Sequence, residues 1–253
     1  MSIQLIANTV FRDCAQLLVT DSADVATSDA TNLENVSRGP RHLEASIAAG
    51  GARRVVFLSK GGGLAANVMV GTRADRWSSG YTVRKYSSYT GSPTTIATAG
   101  AAPTCVGLNA QDYVLPFSSA SNQQAFSLEI AGSAAKTVGK VYFGTTIDFD
   151  YPMPVGPTIE PLWAAVQLGR HSYMVRERIR FTFSNVTRTL MQSLEQSYRL
   201  HEEPCFLYDS AGTLLADKVW HVVIGELSAQ PFFDDKANLI LEAYRLREYP
   251  DVA

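Results

Sequence analysis

The chain has 253 residues, 46% of them hydrophobic and 18% charged, with a formal net charge of −2. That composition suits one large globular domain or two ordinary ones. The near-neutral balance leaves no electrostatic footprint for nucleic acid or an anionic membrane surface. No apolar run approaches the roughly 18 residues of a membrane-spanning helix. The start, Met1-Ser2-Ile3-Gln4-Leu5-Ile6, lacks the basic stretch and apolar core of a signal peptide, so folding in a cytoplasm is expected. Cys14, Cys105 and Cys205 are odd in number and widely spaced, which predicts buried free thiols instead of a disulfide framework or a zinc site.

Residues 1–156 are rich in Gly, Ala, Ser and Thr. Short apolar runs recur between turn-forming stretches: Val55–Leu58, Asn67–Val70, Tyr81–Val83, Ala125–Ile130 and Val138–Phe143. Short strands at this spacing predict an antiparallel β-sandwich. Gly91 to Gly107 is small, polar and Gly/Ala-rich, and is expected to be a long loop. Pro152, Pro154 and Pro157 each remove a backbone donor, which places the domain boundary there and makes 157–253 the second domain.

Ala164–Leu168 and Tyr173–Phe183 flank Gly169-Arg170-His171 and read as a β-hairpin. Tyr173, Val175, Ile179, Phe181 and Phe183 share one face of the second arm, and Arg176, Arg178 and Arg180 occupy the other. Val186, Leu190, Met191, Leu194 and Tyr198 then recur at helical spacing, with Ser184 or Asn185 as the expected cap. Three strands follow: Cys205–Tyr208, Lys218–Leu227 and Ala237–Leu246, the first two joined by a turn at Asp209–Gly212.

Apparent chemical motifs fail on context. Ser133-Ala134-Ala135-Lys136 fits the S-x-x-K pattern of penicillin-recognising enzymes, but lies between two strand-like runs without the partner motifs. Lys60-Gly61-Gly62-Gly63 lacks the rest of a phosphate-binding loop and reads as a strand connection. His42, His171, His201 and His221 sit at no metal-ligand spacing, and Asp148 with Asp150 lacks a calcium loop. The expectation is a protein without catalysis, metal or cofactor.

Three groups remain as binding candidates. The Arg176, Arg178, Arg180 row suits bidentate pairing with carboxylates such as Glu202, Glu203, Asp234 or Asp235 of a neighbouring subunit. Phe232 and Phe233, in a long connection from Ser228 to Lys236, suit contact with another chain. Trp77 and Tyr81, with Tyr86 and Tyr89 nearby, suit a platform for stacking on a sugar ring.

The order of features resembles minor tail proteins of tailed bacteriophages, which join a galactose-binding-like jelly roll to a ring-forming β-rich module. The resemblance covers most of the chain. It rests on Thr31-Asn32-Leu33-Glu34-Asn35-Val36-Ser37-Arg38, on Ala125–Ile130 followed by Val138–Gly144, on Arg178–Thr187, on Lys218-Val219-Trp220-His221-Val222 and on Arg245-Leu246-Arg247-Glu248. It implies a mainly β protein: a jelly-roll-like β-sandwich plus a β-α-β-β-β distal-tail-like module. The implied function is structural, a homo-oligomeric ring such as a hexamer at the virion tail tip. Such a ring would be assembled in the host cytoplasm and touch the tail tube protein and other baseplate proteins. Host surface glycan is a further partner, and neither a membrane nor specific nucleic acid is among the partners. The alternative is a carbohydrate- or receptor-binding sandwich, and a weaker third is a hydrolase with a dispersed site.

Overall fold

The computed structural model describes residues 3–7, 14–37, 44–59, 61, 63–77, 80–106, 110–168, 171–200, 204–212, 214–215, 218–233 and 236–246. The chain forms two compact units, one of Asn8–Thr145 and one of Met1–Ala7 with Thr146–Asp251.

The first unit is a β-sandwich. One layer runs β2 (Cys14–Thr20), β5 (Arg53–Ser59), β10 (Ala125–Ile130), β7 (Tyr81–Tyr86), β8 (Thr94–Ala99), with every neighbouring pair antiparallel. The facing layer places β6 (Leu64–Gly71) between β12 (Val141–Phe149) and β9 (Tyr113–Gln123). A small sheet of β11 (Lys136–Val138), β4 (Ala45–Ile47) and β3 (Ala30–Thr31) completes it. Alternation along the strands sends Val55, Phe57, Val83, Phe126 and Leu128 from one layer against Leu64, Met69, Val141 and Phe143 from the other. Phe143 is stacked on Phe126 at 5.1 Å and meets Phe57 edge-on at 5.4 Å.

Two expectations change here. The Gly91–Gly107 stretch is not one loop, because Thr94–Ala99 is a strand paired with β7. Its Thr and Ile residues favour an edge position, and Ile96, Ala97 and Ala99 pack on the core. The run Val138–Phe143 breaks at Gly139-Lys140, where a side chain on Gly139 would overlap the Thr72 carbonyl. Thr72 and Lys140 are tied there by two bonds, Thr72 N–H to the Lys140 carbonyl (2.8 Å) and Lys140 N–H to Thr72 Oγ1 (2.9 Å).

Gly71 answers to Trp77 in the same way. A methyl group at position 71 would lie inside the Trp77 ring, and that ring is fully buried with nowhere to go. Gly71→Ala is therefore expected to cost about 1–3 kcal/mol by overpacking, read as a lowered urea midpoint at unchanged slope.

In the second unit the sheet order is β13 (Thr158–Leu168), β14 (His171–Thr187), β17 (Lys236–Leu246), β16 (Val219–Phe233), β15 (Cys205–Asp209), β1 (Ile3–Ala7). Helix α1 (Arg188–Leu200) follows β14, so β14-α1-β15-β16-β17 has the element order read from the sequence. Ile179, Phe181, Phe183 and Val186 of β14 bury one face with Leu239, Leu241, Trp220, Val222 and the helix residue Leu194.

The division between units falls at Thr145/Thr146, ahead of the prolines. Phe149 is already stacked on Phe183 at 4.9 Å, and Ile147, Tyr151 and Met153 pack on the second core. The helix cap also moves. β14 continues to Thr187 by pairing Val186 with Ala237, and Thr187 Oγ1 accepts the Leu190 N–H at 3.4 Å. Asn185 instead takes a left-handed backbone (φ 60°) at the register shift before Val186. The long connection Ser228–Lys236 is mostly strand, with Leu227 paired to Leu241 and Phe233 to Lys236. Pro231 is accommodated because the register shifts next to it. Asp209 fixes the β15 turn by accepting the N–H groups of Gly212, Leu214 and Leu215.

Candidate functional site

The feature of the second unit that its own packing leaves open is the β13–β14 hairpin. β13 pairs with β14 from Thr158↔Arg180 to Leu168↔His171, with a register shift between Pro161 and Ala164. Within that bulge Trp163 sits at φ 46°, a left-handed backbone that is strained for a bulky residue. Exposure is 41% at Ile159, 37% at Leu162, 57% at Trp163 and 51% at Met174. These are four of the six large exposed apolar residues among the described residues, so the exposed apolar surface is concentrated on one hairpin. The Arg176 guanidinium lies 5.5 Å from the Trp163 ring centroid.

The arginine row lies on β14 opposite the buried face, as its alternation predicts. Its charges meet acids of the same sheet: Arg178 Nε is 3.0 Å from Glu242 and 4.0 Å from Glu160, and Arg176 Nε is 4.0 Å from Glu177. Arg180 is exposed. Glu202, Glu203, Asp234 and Asp235, the acids expected to face this row, lie outside the described residues. Phe232 and Phe233 belong to β16 by backbone, and their side chains also lie outside the described part. On the other face Arg245 is 2.9 Å from Glu177 and covers the Trp220 ring at 4.6 Å.

Trp77 and Tyr81 do not form a sugar platform. Trp77 is fully buried and Tyr81 nearly so, in the sandwich core, where they pack against one another and against Tyr113. The Tyr81 and Tyr113 hydroxyls are hydrogen-bonded, and burial raises the Tyr113 phenol, with the Tyr81 hydrogen bond adding to it. Tyr86 is buried as well, leaving half-buried Tyr89, tilted against it with ring centroids 5.6 Å apart, as the accessible ring of the four. Small neighbours made this segment look open in sequence, and the opposing sheet closes it.

Sequence reasoning missed an ion network on the outer face of the first unit. Arg54 lies between Asp24 (2.6 Å) and Glu129 (2.5 Å), and Arg84 meets Glu129 at 3.0 Å. The Tyr86 hydroxyl donates to Asp24 at 3.2 Å. Residues 54, 84 and 129 come from three adjacent strands, so their proximity is a matter of register that no local motif announces.

Several of the remaining candidates have structural partners. Lys136 of the S-x-x-K match donates to the carbonyls of Gly51, Gly132 and Ala134, which ties down a turn. Asp148 accepts a hydrogen bond from Gln4 at 2.6 Å. His221 is buried with its ring stacked on Phe206 at 4.9 Å, while His42 and His201 and the side chain of His171 lie outside the described part. Among the described residues no group of three or more His, Cys, Asp or Glu is placed to hold a metal ion, and no helix is long and apolar enough to cross a membrane. All three cysteines are free. Cys205 is buried, which pushes its thiol up to about 12, whereas Cys14 and Cys105 are only half-buried.

Lys140 is buried on β-sandwich backbone, its ammonium 5.8 Å from the Tyr142 ring centroid, and burial lowers its pKa to about 8. The folded state then binds fewer protons than the unfolded chain between about 8 and 10.5, so stability rises with pH across that window. At neutral pH the full cost of burying the charge is present. Lys140→Met is expected to stabilise the protein at pH 7 by up to roughly 3 kcal/mol, at about 1.4 kcal/mol per pH unit, and to flatten that rise. Urea unfolding at pH 7 and pH 10 measures both, and a less stable variant at pH 7 would show that the ammonium is held by a counter-charge.

No protein-family model matches the chain, and no curated protein matches it. Solved structures with a loosely similar fold include carbohydrate-binding modules and glycosidases. Chitosan-binding module 1 of a chitosanase/glucanase from Paenibacillus sp. IK-5 is 10% identical over 55% of this chain and 98% of its own, with a TM-score of 0.41. The CBM32 of AlyQ is 16% identical over 52% and 95%, with a TM-score of 0.38. A GH29 fucosidase from Ruminococcus gnavus is 11% identical over 55% of this chain but only 26% of the enzyme, with a TM-score of 0.42. At these scores the likeness carries no conclusion about a ligand.

Proposed function

We propose that the protein is a non-catalytic building block that joins other protein chains, and that its place is the ring at the tip of a phage tail. The observation that carries this reading is the β13–β14 hairpin. Ile159, Leu162, Trp163 and Met174 are exposed apolar side chains gathered on one hairpin of a protein of ordinary composition, and exposed apolar surface of this kind is typical of sites of protein contact. The resemblance of 178–187, 218–222 and 245–248 to minor tail proteins supplies the finer part: a homo-oligomeric ring between the tail tube and the baseplate or receptor-binding apparatus. Arg180 and the open face of β14 are available to such neighbours.

Imaging and mass measurement of the purified full chain, alone and with tail tube protein, test this. Closed rings or tube-capping particles are the expected result. A species that stays monomeric in both conditions overturns it. The carbohydrate-binding reading belongs to the sandwich unit. With Trp77 and Tyr81 inside, a sugar would have to use surface rings such as Tyr89. Binding to a glycan array that Tyr89→Ala abolishes would favour that reading over assembly.

A further inference from the structure

We propose that Tyr81 and Tyr113 form an oxidative cross-linking site, at which a one-electron oxidant joins the two rings by a carbon–carbon bond and staples the two layers of the sandwich. This goes beyond the assembly reading and does not depend on it.

Tyr81 lies on β7 of one layer and Tyr113 on β9 of the facing layer, 32 positions apart in the chain. Their ring centroids are 5.2 Å apart with a 60° tilt, and their hydroxyls are hydrogen-bonded to one another. A tyrosyl radical carries much of its spin on the two carbons that flank the hydroxyl. Hydroxyls in contact bring those carbons of the two rings side by side, which is the arrangement that coupling needs. Close packing in the sandwich core holds it. Tyr81 is buried and Tyr113 is half-buried, so one ring of the pair is within reach of a small oxidant in water.

The surroundings make this pair the place where oxidation ends. Trp77 meets both rings, 5.9 Å from Tyr81 and 6.4 Å from Tyr113, close enough to exchange an electron with either. Its Nε1–H is buried with no hydrogen-bond partner among the described residues. An oxidised Trp77 therefore has no acceptor for its proton and takes an electron back from a tyrosine. Tyr86 and Tyr89 are the other close pair, but the Tyr86 hydroxyl is committed to Asp24 and Ser127. Cys105 is the nearby competitor, since it packs on the same core, and its thiol donates to the Pro103 carbonyl at 3.6 Å. In the coupling, each ring gives up one electron and its phenolic proton, and the two radicals join carbon to carbon. Each coupled carbon then passes its hydrogen to the oxygen of its own ring. The product keeps both hydroxyls and is two hydrogens lighter, with two electrons on the oxidant and two protons in water.

The test treats the full chain with ruthenium tris-bipyridyl, light and persulfate, which together deliver a one-electron oxidant. Dityrosine fluorescence is expected in chains that run singly on denaturing gels. Peptide mass spectrometry is expected to find a link between positions 81 and 113, two hydrogens lighter than its parts, as the predominant product. The linked chain is expected to unfold at a higher urea concentration, because the tie restricts the unfolded chain. Tyr113→Phe removes only the hydroxyl and is expected to abolish that peptide, with circular dichroism establishing that the variant folds. Oxidation of chains already unfolded in urea tests the geometry without any variant, and there the preference for 81–113 is expected to vanish. A predominant Tyr86–Tyr89 link, a Tyr113–Cys105 thioether, or no link at these rings in the folded chain overturns the proposal. So does an 81–113 link that forms equally well in urea.

Discussion

Replacing Arg54 with alanine is expected to cost about 3 kcal/mol of folding stability, at the lower end of the range for breaking a buried ion pair. The Arg54 side chain is 8% exposed, Glu129 12% and Asp24 25%. Removal of the guanidinium leaves two carboxylates facing one another beneath a loop, with Arg84 still satisfying one side of Glu129. Asp24 can rehydrate in part, which keeps the loss from the top of the range. The same substitution releases the Asp21–Ala26 turn. Asp24 holds a left-handed backbone (φ 61°) and is fixed by Arg54 and Tyr86, while Asp21 accepts the Ala23 and Val25 N–H groups. Those two bonds lower the Asp21 pKa, so the turn's contribution is present near neutrality and is lost as pH falls through that lowered value. Guanidinium unfolding of wild type, Arg54→Ala, Glu129→Gln and the double variant gives the cycle. The double variant is expected to recover part of the loss, because it removes an orphaned charge. A loss below about 1 kcal/mol for Arg54→Ala would mean that the pair behaves as a solvated surface bridge.

Much of the fold was legible because both periodicities were strong. Ala125–Ile130 is a strand to the residue, and the faces of β14 were separable from alternation alone. What failed did so for physical reasons. Thr94–Ala99 looked like a loop because strand pairing with β7 outweighs a weak local preference in small residues. Val186 looked helical by spacing, yet its partner Ala237 lies about fifty positions away, and that pairing decides its state. Trp77 and Tyr81 looked available because sequence shows neighbours along the chain and not the sheet that covers them. The arginine row was found, but its acids Glu160 and Glu242 come from strands on either side, a matter of register. Trp163 carried a signal that could have been used: an aromatic next to Leu162, directly after Pro161 in an almost uncharged strand, reads as exposed apolar surface at a sheet edge.

Leu194→Ala in α1 is expected to destabilise the protein by about 2–5 kcal/mol. The helix starts at Arg188 with Thr187 capping the Leu190 N–H, and its apolar residues return at Leu190, Met191 and Leu194. That stripe meets β14, β16 and β17, where Leu194 is buried among Phe181, Phe183 and Leu241, and Leu190 and Met191 pack at its margin. The helix has only 13 residues, too short to be stable by propensity, so it depends on this face for its existence. Aromatic rings on β14 cannot collapse into the space a leucine leaves, because Phe183 is already stacked on both Phe149 and Phe181. The cavity therefore persists, which argues for more than the loss of transferred surface alone. Gln192→Ala, on the exposed side of the same helix, is the control and should fall within about 0.5 kcal/mol of wild type. Equilibrium unfolding of both variants decides it. A change under half a kcal/mol for Leu194→Ala would show that the helix does not hold the sheet's covered face, and that this face is closed by something other than α1.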